Sequence, residues 1–228
     1  MRIEIPFLSG KIGPVEPRAG DEGQLIVDQM HGKYYQANQK YGVFSHSVTP
    51  LGLALPIYTA TALGSSAISG LPIWNPIGST VKCVLVKAQI ARASGTAAVS
   101  TFGLMARNGC GANIATGAQI TAFAETIPIN GKLGLVNSVS GSGGGPTSKV
   151  KSSRAGTVTM SAGVAAEWVE TLGATGVEAD ATANGISLVN HDFDGRIEVY
   201  PGTMVWLASV LATVALYTMT FSWYEVPI

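Results

Sequence analysis

The end of the chain contains a long stretch without charge, and its internal pattern limits what the chain can fold into. From Val199 to Tyr224 there is no Asp, Glu, Lys or Arg. About 20 apolar residues in a row can cross a bilayer as a helix. From Tyr217 to Trp223, however, apolar and aromatic residues alternate with Thr and Ser. A period of two is that of a β-strand with one buried face, so a terminal strand is predicted here rather than a membrane helix.

Further strand-like segments, separated by turn residues, recur along the chain. In VKCVLVKAQIAR, the strongest of them, one shared face is predicted for Val84, Val86, Ala88 and Ile90. The segment TAAVSTFGLMAR is predicted to be its hairpin partner, and helix is expected only as a single turn near residues 163–169. About ten such segments predict an all-β protein, specifically an antiparallel β-sandwich or barrel.

The first part of the chain differs from the rest. Residues 1–40 are rich in charge and contain Pro6, Pro14 and Pro17, which interrupt helices. From Tyr41 to Val81 there is then no charged residue at all. The predicted organisation is an extended N-terminal arm, residues 1–40, followed by a β body, residues 41–228.

The low charge of the chain bears on its assembly. Charged residues make up 12% of the sequence, about half the usual share. One interpretation is a β surface covered by Ser and Thr. The favoured one is that much of the surface is buried against other subunits, since the cores of protein interfaces are depleted in charge. A homo-oligomer is therefore predicted, with a trimer favoured over a dimer.

The charges that do occur are unevenly distributed. The net charge is +0, so no global field attracts nucleic acid or membrane. Basic residues predominate between Lys82 and Arg154, and acidic ones between Glu167 and Glu225. Both sets are interpreted either as solvated loop residues or as surfaces that meet between neighbouring subunits. Under the second interpretation the basic contact residues are Lys149, Lys151 and Arg154.

The sequence contains no recognisable catalytic motif. It lacks a Gly-x-Ser-x-Gly elbow and a phosphate-binding loop. Asp192 and Asp194 in HDFDG could hold a cation, but a surface turn is the simpler interpretation. No cofactor, metal or enzymatic activity is predicted. Cys83 and Cys110 are expected to be free thiols unless the fold brings them together.

Aromatic residues are the remaining candidates for function. The four tryptophans, Trp74, Trp168, Trp206 and Trp223, lie in apolar segments and are predicted to be core residues. Four aromatic residues in or just after the polar arm are candidate contacts with a partner: Tyr34, Tyr35, Tyr41 and Phe44.

Several stretches together resemble a group of tailed-bacteriophage virion proteins. They are GKYYQANQKYGVFSHSVTP, the following LGLALPIYTATALG, and near the C-terminus VYPGTMVWLAS and FSWYEVPI. The resemblance covers the arm, the first strands and the last two strands, whereas residues 100–190 share composition only.

The resemblance implies a β jelly-roll body and a non-enzymatic role on the virion. The implied protein is a capsid decoration or cement protein that is assembled in the host cytoplasm and binds the major capsid protein. It implies no active site. Two other functions stay open: a tail-fibre or receptor-binding module that recognises host glycan, and a shell protein of single-jelly-roll type. An exposed Trp or Tyr cluster with nearby acids would favour the glycan-binding module.

Overall fold

The computed structural model describes the following residues: 42–48, 51–58, 67–68, 70–95, 100–111, 118–123, 128–130, 148–153, 158–160, 166–175, 188–211 and 215–228. The chain divides into two units, Met1–Tyr35 and Gln36–Ile228, and every described residue belongs to the second. The predicted arm lies outside the described residues, and its boundary at residue 40 stays a prediction.

Two five-stranded antiparallel sheets form the body. The first contains, in spatial order, β12 (Leu188–Val199), β4 (Val81–Ser94), β14 (Leu216–Pro227), β1 (Val43–Ser47) and β8 (Ile129–Asn130). The second contains β11 (Glu167–Thr175), β5 (Ser100–Arg107), β13 (Thr203–Ser209), β3 (Ile73–Asn75) and β9 (Lys151–Ser152).

A smaller sheet is built from segments between these strands. Its order is β2 (Ala67–Ile68), β10 (Val158–Met160), β7 (Ala118–Phe123) and β6 (Cys110–Gly111). The pair β6–β7 is parallel, whereas β10 pairs antiparallel with both β2 and β7. Three of its four strands, and the edge strands β8 and β9, come from the long connection between β5 and β11.

The two large sheets face each other across one hydrophobic core. Side chains from both sheets form a single buried cluster, and the rings of Phe102 on β5 and Tyr217 on β14 meet edge to face, 5.3 Å apart. On β14 the predicted alternation is confirmed, since Tyr217, Met219, Phe221 and Trp223 are all fully buried. Each large apolar side chain buried in this way contributes about 1.5–3 kcal/mol.

Strand β13 is buried on both faces, which explains its continuous apolar sequence. Val205 and Leu207 belong to the central core. Met204 and Trp206 point to the opposite side, into a second buried cluster that also contains Val158 of β10. The small sheet therefore contributes to the cover on the outer side of the second large sheet.

In strand β4 the side chains do not point to the faces that the sequence pattern predicts. Ser222 pairs with Lys87 and Trp223 with Leu85, so the strand is bulged between these positions. Because an extra residue reverses the alternation, Leu85 before the bulge and Ala88 after it both face the core. Val84 is not in this cluster, so the single face predicted for Val84, Val86, Ala88 and Ile90 is wrong.

Two further details of the prediction are wrong. Strand β5 pairs with β11 and β13 in the second sheet, so it is not the hairpin partner of β4. Both sides of β4 are occupied by β12 and β14, which leaves no edge for β5. The segment expected to form a helical turn is extended from Glu167 onward, as part of β11.

The all-β sandwich class is confirmed. Within the part of the chain that the structure describes there is no helix, and accordingly none long and apolar enough to cross a membrane.

Candidate partner-binding surfaces

A buried carboxylate positions the segment that carries two of the predicted contact lysines. Glu225 on β14 is 6% exposed. Its Oε2 accepts a hydrogen bond from the backbone N–H of Lys149, at 2.8 Å. Its Oε1 accepts bonds from the Ser148 hydroxyl and from the backbone N–H of Val150. The carboxylate thus fixes this segment against the end of β14.

The two lysines of this segment differ in exposure. Lys149 is exposed, whereas Lys151 is half-buried in edge strand β9, with its Nζ 5.9 Å from the centre of the Trp74 ring. Of these two lysines, Lys149 is therefore the one whose charge is more accessible to a partner. Arg154 lies outside the described residues.

Of the four aromatic residues predicted to contact a partner, the structure describes one, Phe44. The ring of Phe44 is 2% exposed and stacks on Trp223 at 6.1 Å. Phe44 is thus a core residue rather than a surface contact, because β1 turns its even-numbered side chains inward. Tyr34, Tyr35 and Tyr41 lie outside the described residues.

The two uncharged stretches of the sequence meet at one end of the sandwich. Leu53 and Tyr217 form an antiparallel bridge, and Ile57 forms a parallel bridge with Ser209. The segment 51–58 therefore runs from β14 in the first sheet to the end of β13 in the second. None of the described residues in this segment, or in residues 203–211 and 215–224, is charged.

This end exposes large aliphatic side chains. The exposed fractions are 81% for Leu51, 42% for Ile57, 40% for Val210 and 55% for Leu211. We call these four residues the uncharged end. Clustered exposed apolar residues typically mark an interaction site. The segments 51–58 and 203–211 that carry them contain no charged residue, although Arg92 of the neighbouring strand β4 pairs with Tyr217 at this end.

The opposite end is organised by a buried amide. Asn75 Nδ2 donates to the carbonyls of Val81 and Val199, both at 2.9 Å. These bonds join the β3–β4 turn to the β12–β13 turn. Ile77 and Tyr200 are exposed here by 58% and 50%.

Basic and acidic residues also meet within one chain. Lys82 Nζ lies 2.7 Å from Glu198 Oε1, and Tyr200 donates its hydroxyl proton to Glu198 Oε2 at 3.0 Å. The hydrogen bond to Glu198 raises the pKa of Lys82, and the same bond lowers the pKa of Glu198. At least one basic–acidic pair is thus intramolecular.

The HDFDG segment is a bulge on edge strand β12. Asp192 Oδ1 accepts the backbone N–H of Asp194 at 2.8 Å, and Asp194 has a positive φ of 52°. Arg196 forms an ion pair with Glu170 of β11 and approaches His191 at 3.0 Å. These side chains link the edges of the two large sheets. Among the described residues no group of three or more His, Cys, Asp or Glu is placed to hold a metal ion.

Both cysteines are free and buried. Burial raises the pKa of the Cys83 thiol well above its usual value. For Cys110, burial raises the pKa to about 11, against an opposing effect of nearby Arg107. Neither thiol is activated as a nucleophile, because the reactive form is the thiolate.

Sequence reasoning missed two features of the surface. The exposed aliphatic residues at the uncharged end come from two segments far apart in sequence, and the absence of charge in these segments was the only signal. Trp168 was predicted to be a core residue, but its ring is half-buried beside the half-buried Tyr58.

The described residues thus define an all-β protein of the antiparallel sandwich class, with exposed aliphatic side chains at its uncharged end. Comparisons of the chain with protein-family models, curated proteins and solved structures found no match.

Proposed function

We propose that the protein is a non-enzymatic structural component of a tailed-phage virion, a decoration or cement protein of the capsid. In this proposal it acts as a homo-oligomer, a trimer rather than a dimer, and binds the major capsid protein. Residues 1–40 anchor it to the shell, and the β body forms the oligomer.

The connectivity of the sandwich supports a jelly-roll body. Without the two-residue edge strands β8 and β9, the first sheet has the order β1, β14, β4, β12 and the second has the order β3, β13, β5, β11. The adjacent pairs are nested in sequence: β1 with β14, β3 with β13, β4 with β12, and β5 with β11. Such nesting is expected when one long antiparallel hairpin is rolled into two sheets, which is the connectivity of a jelly roll.

The single observation that carries the assembly proposal is the uncharged end. Leu51 and Leu211 are more than half exposed and lie in segments without charge. An isolated subunit would present this apolar surface to water. Closed rings of identical subunits bury such surfaces without leaving an unpaired patch.

The test is the molar mass of the purified chain at micromolar concentration, by light scattering coupled to size exclusion. The wild-type chain is expected to be a trimer. Leu211→Asp is expected to dissociate it, because a carboxylate would have to be buried without a partner. Ile77→Asp is the matched control, since Ile77 is similarly exposed, at 58% against 55%, but lies at the opposite end.

A monodisperse wild-type monomer would refute the homo-oligomer. If the wild-type chain is an oligomer that is dissociated by Ile77→Asp but not by Leu211→Asp, the interface lies at the opposite end of the sandwich. Attachment to the capsid is tested separately, by co-sedimentation of the chain with head shells that lack it.

A further inference from the structure

One half-exposed aromatic pair is not used by the assembly proposed above. Tyr58 and Trp168 meet edge to face, with ring centres 5.4 Å apart and planes at 70°. Both rings are half-buried. The other three tryptophans are 7% exposed or less, so Trp168 is the tryptophan that water reaches most easily.

The Trp168 ring is held in a fixed position on the outer face of the second sheet. It lies directly over Gly103 of β5, where an added Cβ would come within 2.0 Å of the ring. Its Nε1 donates to the Thr171 hydroxyl at 3.2 Å. A glycine that admits the ring and a hydrogen bond that orients it together make a rigid platform.

Hydroxyl groups flank this platform. Thr171 pairs with Gly103 across the sheet, so both residues face the same side as the ring. The Thr171 oxygen accepts from Trp168 and therefore keeps its own proton to donate. Thr101, two residues before Gly103 on the same strand, faces this side as well and is half-buried.

The chemistry of this face indicates the kind of ligand. The carboxylates of β11 do not belong to it, because Glu167 and Glu170 pair with Ala106 and Leu104, which face the central core. Glu170 is moreover paired with Arg196. An aromatic face with adjacent neutral hydroxyls suits a neutral polyol, whose C–H face stacks on the ring while its hydroxyls form hydrogen bonds.

We propose that Trp168 and Tyr58, with Thr171 and Thr101 at their rim, form a binding site for a neutral saccharide. The Trp168 ring supplies the stacking face, Tyr58 limits the ligand on one side, and the two threonines bind its hydroxyls. Tyr58 directly follows Ile57 of the uncharged end, but saccharide binding and molar mass are separate measurements, so each proposal can fail without the other.

The test is saturation-transfer NMR on the full chain with three neutral probes: cellotriose, maltotriose and triacetylchitotriose. Transfer from the protein to at least one probe is expected, together with a shift in tryptophan emission. Trp168→Ala is expected to weaken binding about fivefold or more, because stacking on an aromatic ring contributes at least that factor.

Gly103→Ala keeps every aromatic residue but displaces the ring, so it should weaken binding as well. Tyr200→Ala is the control, since Tyr200 is an exposed tyrosine at the other end of the sandwich. If Gly103→Ala does not fold, Thr171→Val tests the orientation of the ring. The proposal is refuted if no probe binds at millimolar concentration, or if binding survives Trp168→Ala. It is also refuted if Trp168→Ala changes the molar mass while no saccharide binds, which would make the ring a protein contact.

Discussion

Leu53 and Tyr217 exchange two backbone hydrogen bonds, of 2.8 and 2.9 Å, between segments far apart in sequence. This bridge joins the uncharged stretch that begins at Tyr41 to the uncharged stretch near the C-terminus. Since Tyr217 begins the buried series of β14, the bridge also fixes segment 51–58 to the core. Two regions without charge thereby become one surface.

Removing the Glu225 carboxylate should destabilise the protein. Glu225→Ala leaves the N–H groups of Lys149 and Val150 and the Ser148 hydroxyl without their acceptor. We expect a loss of about 3 kcal/mol in the free energy of unfolding, measured by urea denaturation. Glu225→Gln is the control and should lose less, because it keeps one acceptor oxygen. A loss below about 1 kcal/mol in the alanine variant would contradict the proposed clamp.

The Lys82–Glu198 pair should give a stability contribution limited to a window of pH. The pKa of Glu198 is lowered, so its contribution is present above the usual value of 4.5 and is lost as the pH falls through the lowered pKa. The pKa of Lys82 is raised, so its contribution is present below 10.5 and is lost as the pH rises through the raised pKa.

The measurement is the melting temperature of wild type and Glu198→Gln across this range. The difference should be small, largest between the two usual pKa values, and reduced by salt, because the pair is exposed. If the difference in melting temperature between the two proteins is undiminished at a pH below the lowered pKa of Glu198, then Glu198 stabilises the protein through something other than its charge.

The two thiols should be unreactive in the folded protein. Burial raises the pKa of Cys83, and that of Cys110 to about 11. At about pH 8 few thiolates are present, and neither sulfur is accessible. A disulfide reagent should therefore label both cysteines in guanidinium and neither in native buffer. Rapid labelling of the native chain would place at least one thiol at the surface.

The arm prediction is tested by truncation. Deleting residues 1–30 should leave a β body with an unchanged circular dichroism spectrum that no longer joins the particle, because the described β core lies C-terminal to the deletion. Full-length chain in the same assembly reaction is the reference. If the truncated chain is incorporated at full occupancy, the anchor lies in the β body.

The sequence by itself determined the class of the fold and the facing of its clearest strand. Alternation from Tyr217 to Trp223 can be predicted because β14 has one face in the core and one half-exposed face. On β13 the period disappears, since the outer face of the second sheet is covered too. The local sequence pattern indicates whether a face of a strand is buried, but it does not indicate which element buries that face.

Other features required the tertiary structure. A bulge reverses the facing of β4, and strands adjacent in sequence, such as β4 and β5, lie in different sheets. These outcomes depend on which strand edges are already occupied, which is a property of the whole chain. The same holds for the surfaces: Leu53 and Tyr217, or Tyr58 and Trp168, become neighbours only when segments distant in sequence pack together, because contacts across a sandwich have no fixed spacing along the chain.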